Sequence, residues 1–175
     1  VVILTMKSQD TDMALRDLER AGGRNVAVVC CQNGVDNERM AVRRFSRVYG
    51  MVVWMPTTYL EPGVVLHHAA PIGGILDAGC FPRGVDATIT QVTTDIAAAG
   101  FSAKPDPNIM RWKYTKLLSN LRNALQATCG LDAAGGDFAR AVRHEALACY
   151  KAAGIEFVSE DEMRQRVQTE IKMGR

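Results

Sequence analysis

Hydrophobic positions along the chain fall into two alternating patterns. Three short runs are apolar at almost every position: Val1–Met6 ("VVILTM"), Asn25–Cys31 ("NVAVVCC") and Gly50–Met55 ("GMVVWM"). Continuous β-rich runs of this length predict strands covered on both faces, since a half-exposed strand would alternate apolar with polar. Between them the pattern becomes amphipathic. Ser8–Gly22 predicts a helix, with Ser8 or Asp10 at its N-cap and Gly22 at its end. Residues 32–46 turn at Asn33-Gly34 and then enter a second helix. Strand–helix–strand–helix–strand with short connections predicts a parallel, wound α/β sheet.

Further along, "TTYLEPGVVLHHAAPIGGIL" (Thr57–Leu76) predicts a hairpin-like pair turning at Glu61-Pro62-Gly63. Gly84–Gly100 predicts a helix, followed by a proline-rich bridge, "AKPDPN". Beyond Asn108 helix follows helix: Ile109–Cys129, Gly136–Gly154 and Ser159–Met173, with no further strand. The chain therefore divides into an α/β portion, 1–104, and an all-helical portion, 105–175.

The first of those late helices carries a second message. Within "RWKYTKLLSNLRNAL" (Arg111–Leu125), take Lys116 as the angular origin of a continuous helix. Asn120 then lies at roughly 40° and Asn123 at roughly −20°. Met110, Tyr114, Leu117, Leu118, Leu121 and Leu125 occupy the opposite and adjoining arc, the expected core stripe. The polar stripe could simply be solvated. However, asparagine is a mediocre helix former, and Ile109 and Trp112 lie beside the stripe, which predicts partial cover. From the helix alone, a wet face and a working face stay equally open.

Composition narrows the classes. The 175 residues are 47% hydrophobic and 23% charged, ordinary for a globular protein. A net charge of +2, without a basic run interleaved with aromatics, argues against a nucleic-acid partner. No apolar stretch reaches membrane-spanning length, so no membrane partner is expected. Five cysteines without CxxC spacing predict neither a disulfide scaffold nor a zinc site, and reduced cytoplasmic thiols are expected. Cys30 and Cys31 at a strand end, and His67 and His68 within a strand, should point to opposite faces; no metal site is expected.

In wound sheets ligands sit beyond the carboxyl ends of the strands. Lys7 follows the first strand at once, and Gln32-Asn33-Gly34 follows the second. Each also has a local explanation, a solvent-facing lysine and a tight turn. Combined with the Lys116 helix they suggest a cleft between the two portions.

Taken in order, four segments resemble the ketopantoate reductase (2-dehydropantoate 2-reductase) family: "ILTMKSQDT", "CCQNGVDNE", "EPGVVLHHA" and "WKYTKLLSNLRNAL". The resemblance implies the C-terminal part of a Rossmann-type NADP-binding domain (1–104), followed by a helical substrate and dimerisation domain (105–175). It implies NADPH-dependent reduction of a 2-keto acid, ketopantoate to pantoate foremost, in pantothenate biosynthesis, with a homodimer as one expectation. By the same resemblance Lys116 is the catalytic proton donor, Asn120 and Asn123 hold the substrate, Asn33 touches both cofactor and substrate, and Lys7 lies on the cofactor side. A positioned ammonium suits this chemistry, because hydride arriving at a carbonyl carbon builds negative charge on the oxygen. The sequence departs from the family in three ways. It contains no GxGxxG, it ends before the family's substrate-binding serine and acidic residue, and its asparagines are spaced one residue tighter. The first two suggest part of a longer protein. Another 2-ketoacid or β-hydroxyacid dehydrogenase of the same plan, or a non-catalytic fragment, are the competing readings.

Overall fold

The computed structural model describes residues 1–168 and 172–173. β1 (Val2–Leu4), α1 (Thr11–Gly22), β2 (Ala27–Cys30), α2 (Asn37–Val42) and β3 (Arg47–Met51) follow one another in the expected alternation. The three strands pair in parallel, with Val28 lying between Val2 and Val48. Every residue of β2 is buried, and its side chains alternate between two cores. Val28 and Cys30 pack with Leu4, Leu15, Ala41, Phe45 and Val48 on the side of α1 and α2. Ala27 and Val29 pack with Tyr49, Met51, Ile89 and Val92, the last two from α3 (Ala87–Ala98). Cys30 and Cys31 do part company, Cys31 packing against the second core. Helices on both faces make this a wound sheet.

Two strand expectations need correction. The third strand begins at Arg47 rather than Gly50, and after Met51 its backbone continues only as single contacts. Val52 N–H donates to the Asp77 carbonyl and Trp54 N–H to that of Ile75, both at 2.9 Å. The sheet is also mixed rather than all parallel. After the expected hairpin of β4 (Thr57–Glu61) and β5 (Val64–His67) and a two-residue strand β6 (Ala69–Ala70), β7 (Ala78–Cys80) pairs antiparallel with β3. The order is β1-β2-β3-β7. β7 carries only three residues, one of them glycine. Its extended form is imposed by pairing: Ala78 N–H donates to the Lys104 carbonyl and Asp106 N–H to the Ala78 carbonyl. The proline-rich bridge thus lies along the sheet edge.

The helical portion holds α4 (Ile109–Asn120), α5 (Asn123–Cys129), α6 (Asp137–Ala152) and α7 (Glu160–Gln168). The single helix expected over Ile109–Cys129 is therefore two. Leu121 and Arg122 keep right-handed dihedrals, but ψ at Arg122 flattens to −11°, and a new run begins at Asn123. The helix expected over Ser159–Met173 ends sooner within the described residues. Its residues 169–171 lie outside them, and Lys172–Met173 forms β8, antiparallel to β6, where no late strand was expected.

Side chains tie the late helices to the sheet. Arg166 of α7 donates from Nε and Nη2 to the buried Asp77 carboxylate at 2.8 and 2.7 Å, and from Nη2 to Ser102 Oγ at 2.9 Å. This forked geometry is the strong form of a charged hydrogen bond. Thr115 Oγ1 accepts from Val158 N–H at 2.8 Å, holding α4 to the α6–α7 connection.

Where α4 meets the sheet, the strands present glycine. A Cβ on Gly50 would meet Glu38 Oε1, Ile109 Cγ2 and Met110 Sδ at 3.3 Å each, and one on Gly79 would come within 1.9 Å of the Asp106 carbonyl oxygen. Gly79→Ala is therefore expected to cost about 3 kcal/mol through overpacking against backbone. That would lower Tm by roughly 6–12 °C for a chain of this size. A thermal melt with Tm unchanged would show that the bridge has room to move.

Candidate active site

The carboxyl ends of β1 and β2 are joined by a buried polar chain. Gln32 Nε2 donates to the Met6 carbonyl at 2.8 Å and to Thr11 Oγ1 at 2.9 Å. Thr11 Oγ1 donates to Asn37 Oδ1 at 3.0 Å, and Asn37 Nδ2 to the Asn33 carbonyl at 3.0 Å. Gln32, Thr11 and Asn37 are all buried, so the two bonds that Thr11 Oγ1 makes with Gln32 and Asn37 lie away from competing water. Gly34, at φ +89°, allows the turn, and a Cβ there would lie 3.9 Å from Ser8 Oγ. The loop carrying Lys7 and the turn carrying Asn33 are thereby brought together, both residues keeping exposed side chains.

α4 supplies the other wall. The stripe left open as wet or working face is turned to the sheet: Ile109, Trp112 and Lys113 are buried, whereas of the expected core stripe Leu118 is buried and Leu117, Leu121 and Leu125 are only half-buried. Ile109 and Trp112 do cover the stripe, Trp112 with its Nε1 donating to Asp106 Oδ2 at 2.9 Å. Lys116 is half-buried, and its Nζ sits 4.7 Å from the ring centroid of Trp54. A ring face attracts a cation electrostatically without hydrating it. Burial pulls the Lys116 pKa down to about 8, and the Lys113 ammonium pulls it the same way. Lys116 is thus poised to hold a proton near neutrality and to release it readily.

Lys113 itself is an ion-pair partner that the sequence reading overlooked. Its Nζ pairs with the Glu38 carboxylate of α2, and the two side chains are 2% and 0% exposed. It also donates to the carbonyls of Cys30 and Gln32 at 3.3 and 3.0 Å. Burial pushes the Glu38 carboxyl up, and the Lys113 ammonium opposes that rise. The available signal was the second lysine three residues before Lys116, on a helix whose flanks are apolar.

Gln32, Asn33, Gly34, Val52, Lys113 and Lys116 line one recess of about 10 Å³, room for about one water molecule. Of the residues singled out from sequence, Asn33 and Lys116 meet there. Asn120 lies one turn beyond Lys116 and is half-buried; Asn123, past the helix break, is exposed; Lys7 lies on the neighbouring loop. The notch is a floor of polar groups over which a ligand can sit. A cleft of about 240 Å³ on the other side of α4, lined by Arg39, Arg83, Arg111 and Tyr114 among others, is larger. It contains neither Asn33 nor a lysine.

A wound α/β sheet with polar groups at its strand ends, faced by a helix bearing a half-buried lysine, is a Rossmann-like arrangement joined to a helical layer. The comparisons with known proteins give this class a family. Residues 1–83 match the family described as "Ketopantoate reductase PanE/ApbA". Over 120 residues the chain is 31% identical to a 2-dehydropantoate 2-reductase of Pyrococcus horikoshii, covering 69% of this chain and 38% of that protein. A PanE/ApbA family ketopantoate reductase from Ralstonia eutropha JMP134 superposes with a TM-score of 0.74 at 25% identity, covering 99% of this chain and 59% of that one. A D-mandelate dehydrogenase solved with NADH and anilino(oxo)acetate shares the fold, with a TM-score of 0.74 at 18% identity, over 89% of this chain and 52% of that one. The chain thus carries a match to the ketopantoate reductase family over residues 1–83 and shares its fold, and it spans 38–59% of the length of these relatives.

No described helix is long and apolar enough to cross a membrane. In lysine-selective ¹³C NMR, assigned with Lys116→Arg, the Lys116 Cε signal is expected to titrate with a midpoint of about 8. A midpoint at the ordinary 10.5 would mean that its ammonium is freely hydrated.

Proposed function

We propose that this protein reduces the ketone of a 2-keto acid, ketopantoate foremost, with NADPH as hydride donor. The observation that carries the reading is Lys116, half-buried over Trp54 and sharing one recess with the Asn33-Gly34 turn. The family match over residues 1–83 supports the reaction class, and the reading takes 1–104 as the cofactor side and 105–175 as the substrate side.

The residues present fit the nicotinamide end of such a cofactor. At the carboxyl ends of β1 and β2, Gly34 has no side chain to block close approach, and Asn33 offers a free amide beside it. The glycine-rich turn that would cradle the pyrophosphate is not in this sequence. When bound, the nicotinamide supplies the hydride to the carbonyl carbon. Lys116 stabilises the charge that develops on the carbonyl oxygen, transfers one proton from Nζ to it, and is left neutral. Asn120, one turn along the same helix, is placed to hold the hydroxyl or carboxylate end of the substrate. Asn33 orients cofactor and substrate against each other, Asn123 extends the grip, and Lys7 serves the cofactor side.

Lys116→Ala in the full-length protein is expected to lower kcat on the order of 10²–10⁴ with Tm little changed, because a proton donor is lost but almost no packing. Asn120→Ala should act mainly through KM. A Lys116→Ala variant with wild-type kcat would reduce the polar stripe to a solvated face.

The sign of the pH dependence follows from the depressed lysine. The protonated form, needed for reduction, predominates below about pH 8 and is lost above it. Reduction should therefore fall as pH rises through that value, while alcohol oxidation in reverse should rise. The same steady-state assays, run with NADPH and NADH over a panel of 2-keto acids, should show the higher kcat/KM with NADPH and ketopantoate. A preference for NADH or for another keto acid would move the protein to a neighbouring 2-ketoacid dehydrogenase activity.

A further inference from the structure

The buried ion pair is unexplained by the reaction just described. Lys113 and Glu38 are both almost wholly buried, come from different portions of the chain, and lie 75 positions apart by their numbering. Burying two charges is costly, and apolar residues of similar size would dock α4 on the sheet at least as stably. The partners of Lys113 show what it does instead. Besides Glu38 on α2 it grips the carbonyls of Cys30 and Gln32, the last residue of β2 and the residue just before Asn33. Three residues along the same helix stands Lys116, and both lysines line the recess that Asn33 and Gly34 close.

We propose that Lys113, locked by Glu38 and by the carbonyls of Cys30 and Gln32, is a positioning residue that holds the Lys116-bearing helix in register against the Asn33-Gly34 turn. The proposal rests on Lys116 being the proton donor. A hydrophobic contact is non-directional and lets a helix slide or rotate by a fraction of a turn. An ammonium with three acceptors from two elements defines the position of α4 along and around its axis. A shift of about 1 Å in a donor is enough to cost on the order of 10²-fold in rate. The fixed positive charge also bears on Lys116 directly. The titratable groups acting on Lys116 are Lys113 on its own helix and Cys31 at the end of β2, with Trp54 covering it from the strand side. Lys113 favours the neutral amine and Cys31 opposes it, so removing the Lys113 charge should raise the Lys116 midpoint.

Two variants separate position from charge. Lys113→Met/Glu38→Leu removes both charges while keeping bulk, so the fold should persist. In it, the Lys116 Cε signal is expected to titrate above its wild-type midpoint, and kcat in the full-length protein should fall at least tenfold with its pH limit displaced upward. Glu38→Asp keeps both charges but shortens the tether by one methylene. It should lower kcat severalfold while leaving the midpoint and Tm near wild type. An unchanged Lys116 midpoint in the double variant, or wild-type kcat in both variants, would overturn the proposal. If instead Lys116→Ala retains full kcat, the proton-donor reading itself fails, and the NMR titration still reports whether Lys113 acts on Lys116.

Discussion

α4 lies against the sheet because β3 and β7 each present a glycine where it crosses. With no Cβ at Gly50, the strand makes room for Ile109, Met110 and the carboxylate of Glu38 at the same spot. With none at Gly79, the 105–107 segment crosses β7 backbone to backbone. Close approach carries Trp112 and Lys113 into buried positions and leaves Lys116 half-covered at the rim. The depressed Lys116 follows from the same approach, since burial by the sheet side and proximity to Lys113 are its two lowering causes.

Around this contact the polar groups divide the work. The chain Gln32–Thr11–Asn37–Asn33 stiffens the strand ends from within the α/β portion, and Lys113–Glu38 joins those ends to α4. On the far side Arg166–Asp77 brings α7 onto β7 with a forked, nearly buried pair whose side chains are 11% and 5% exposed. Buried pairs of this kind contribute little net stability, yet each is demanding about geometry. Two of them, one from α4 and one from α7, hold the portions in one arrangement where apolar packing alone would tolerate several.

The family match and the local chemistry support each other without being the same argument. The matched family model reaches only residue 83, short of α4. The case for Lys116 rests on the helix itself, on its cover by Trp54, and on the recess shared with Asn33.

The strands β1 and β2, the helices α1, α3 and α6, and the Glu61–Val64 hairpin turn were legible in the sequence, because each depends on local periodicity and on glycine or cap chemistry. So was the grouping of Asn33 with Lys116, since strand ends and one helix stripe are places that patterning can name. The rest was decided by tertiary contact. β7 is too short to show a period and becomes a strand only by pairing with β3 and the 104–106 backbone. The break at Leu121–Arg122, which leaves Asn123 exposed at the start of α5, could not be read from a pattern that suits one continuous helix. That α4 buries residues on both arcs, Leu118 on one and Ile109, Trp112 and Lys113 on the other, was only partly legible, because a helix packed on several sides has no single apolar stripe. A buried Lys113 in particular could not be read without Glu38, since a charge enters the interior only when a distant residue is there to meet it.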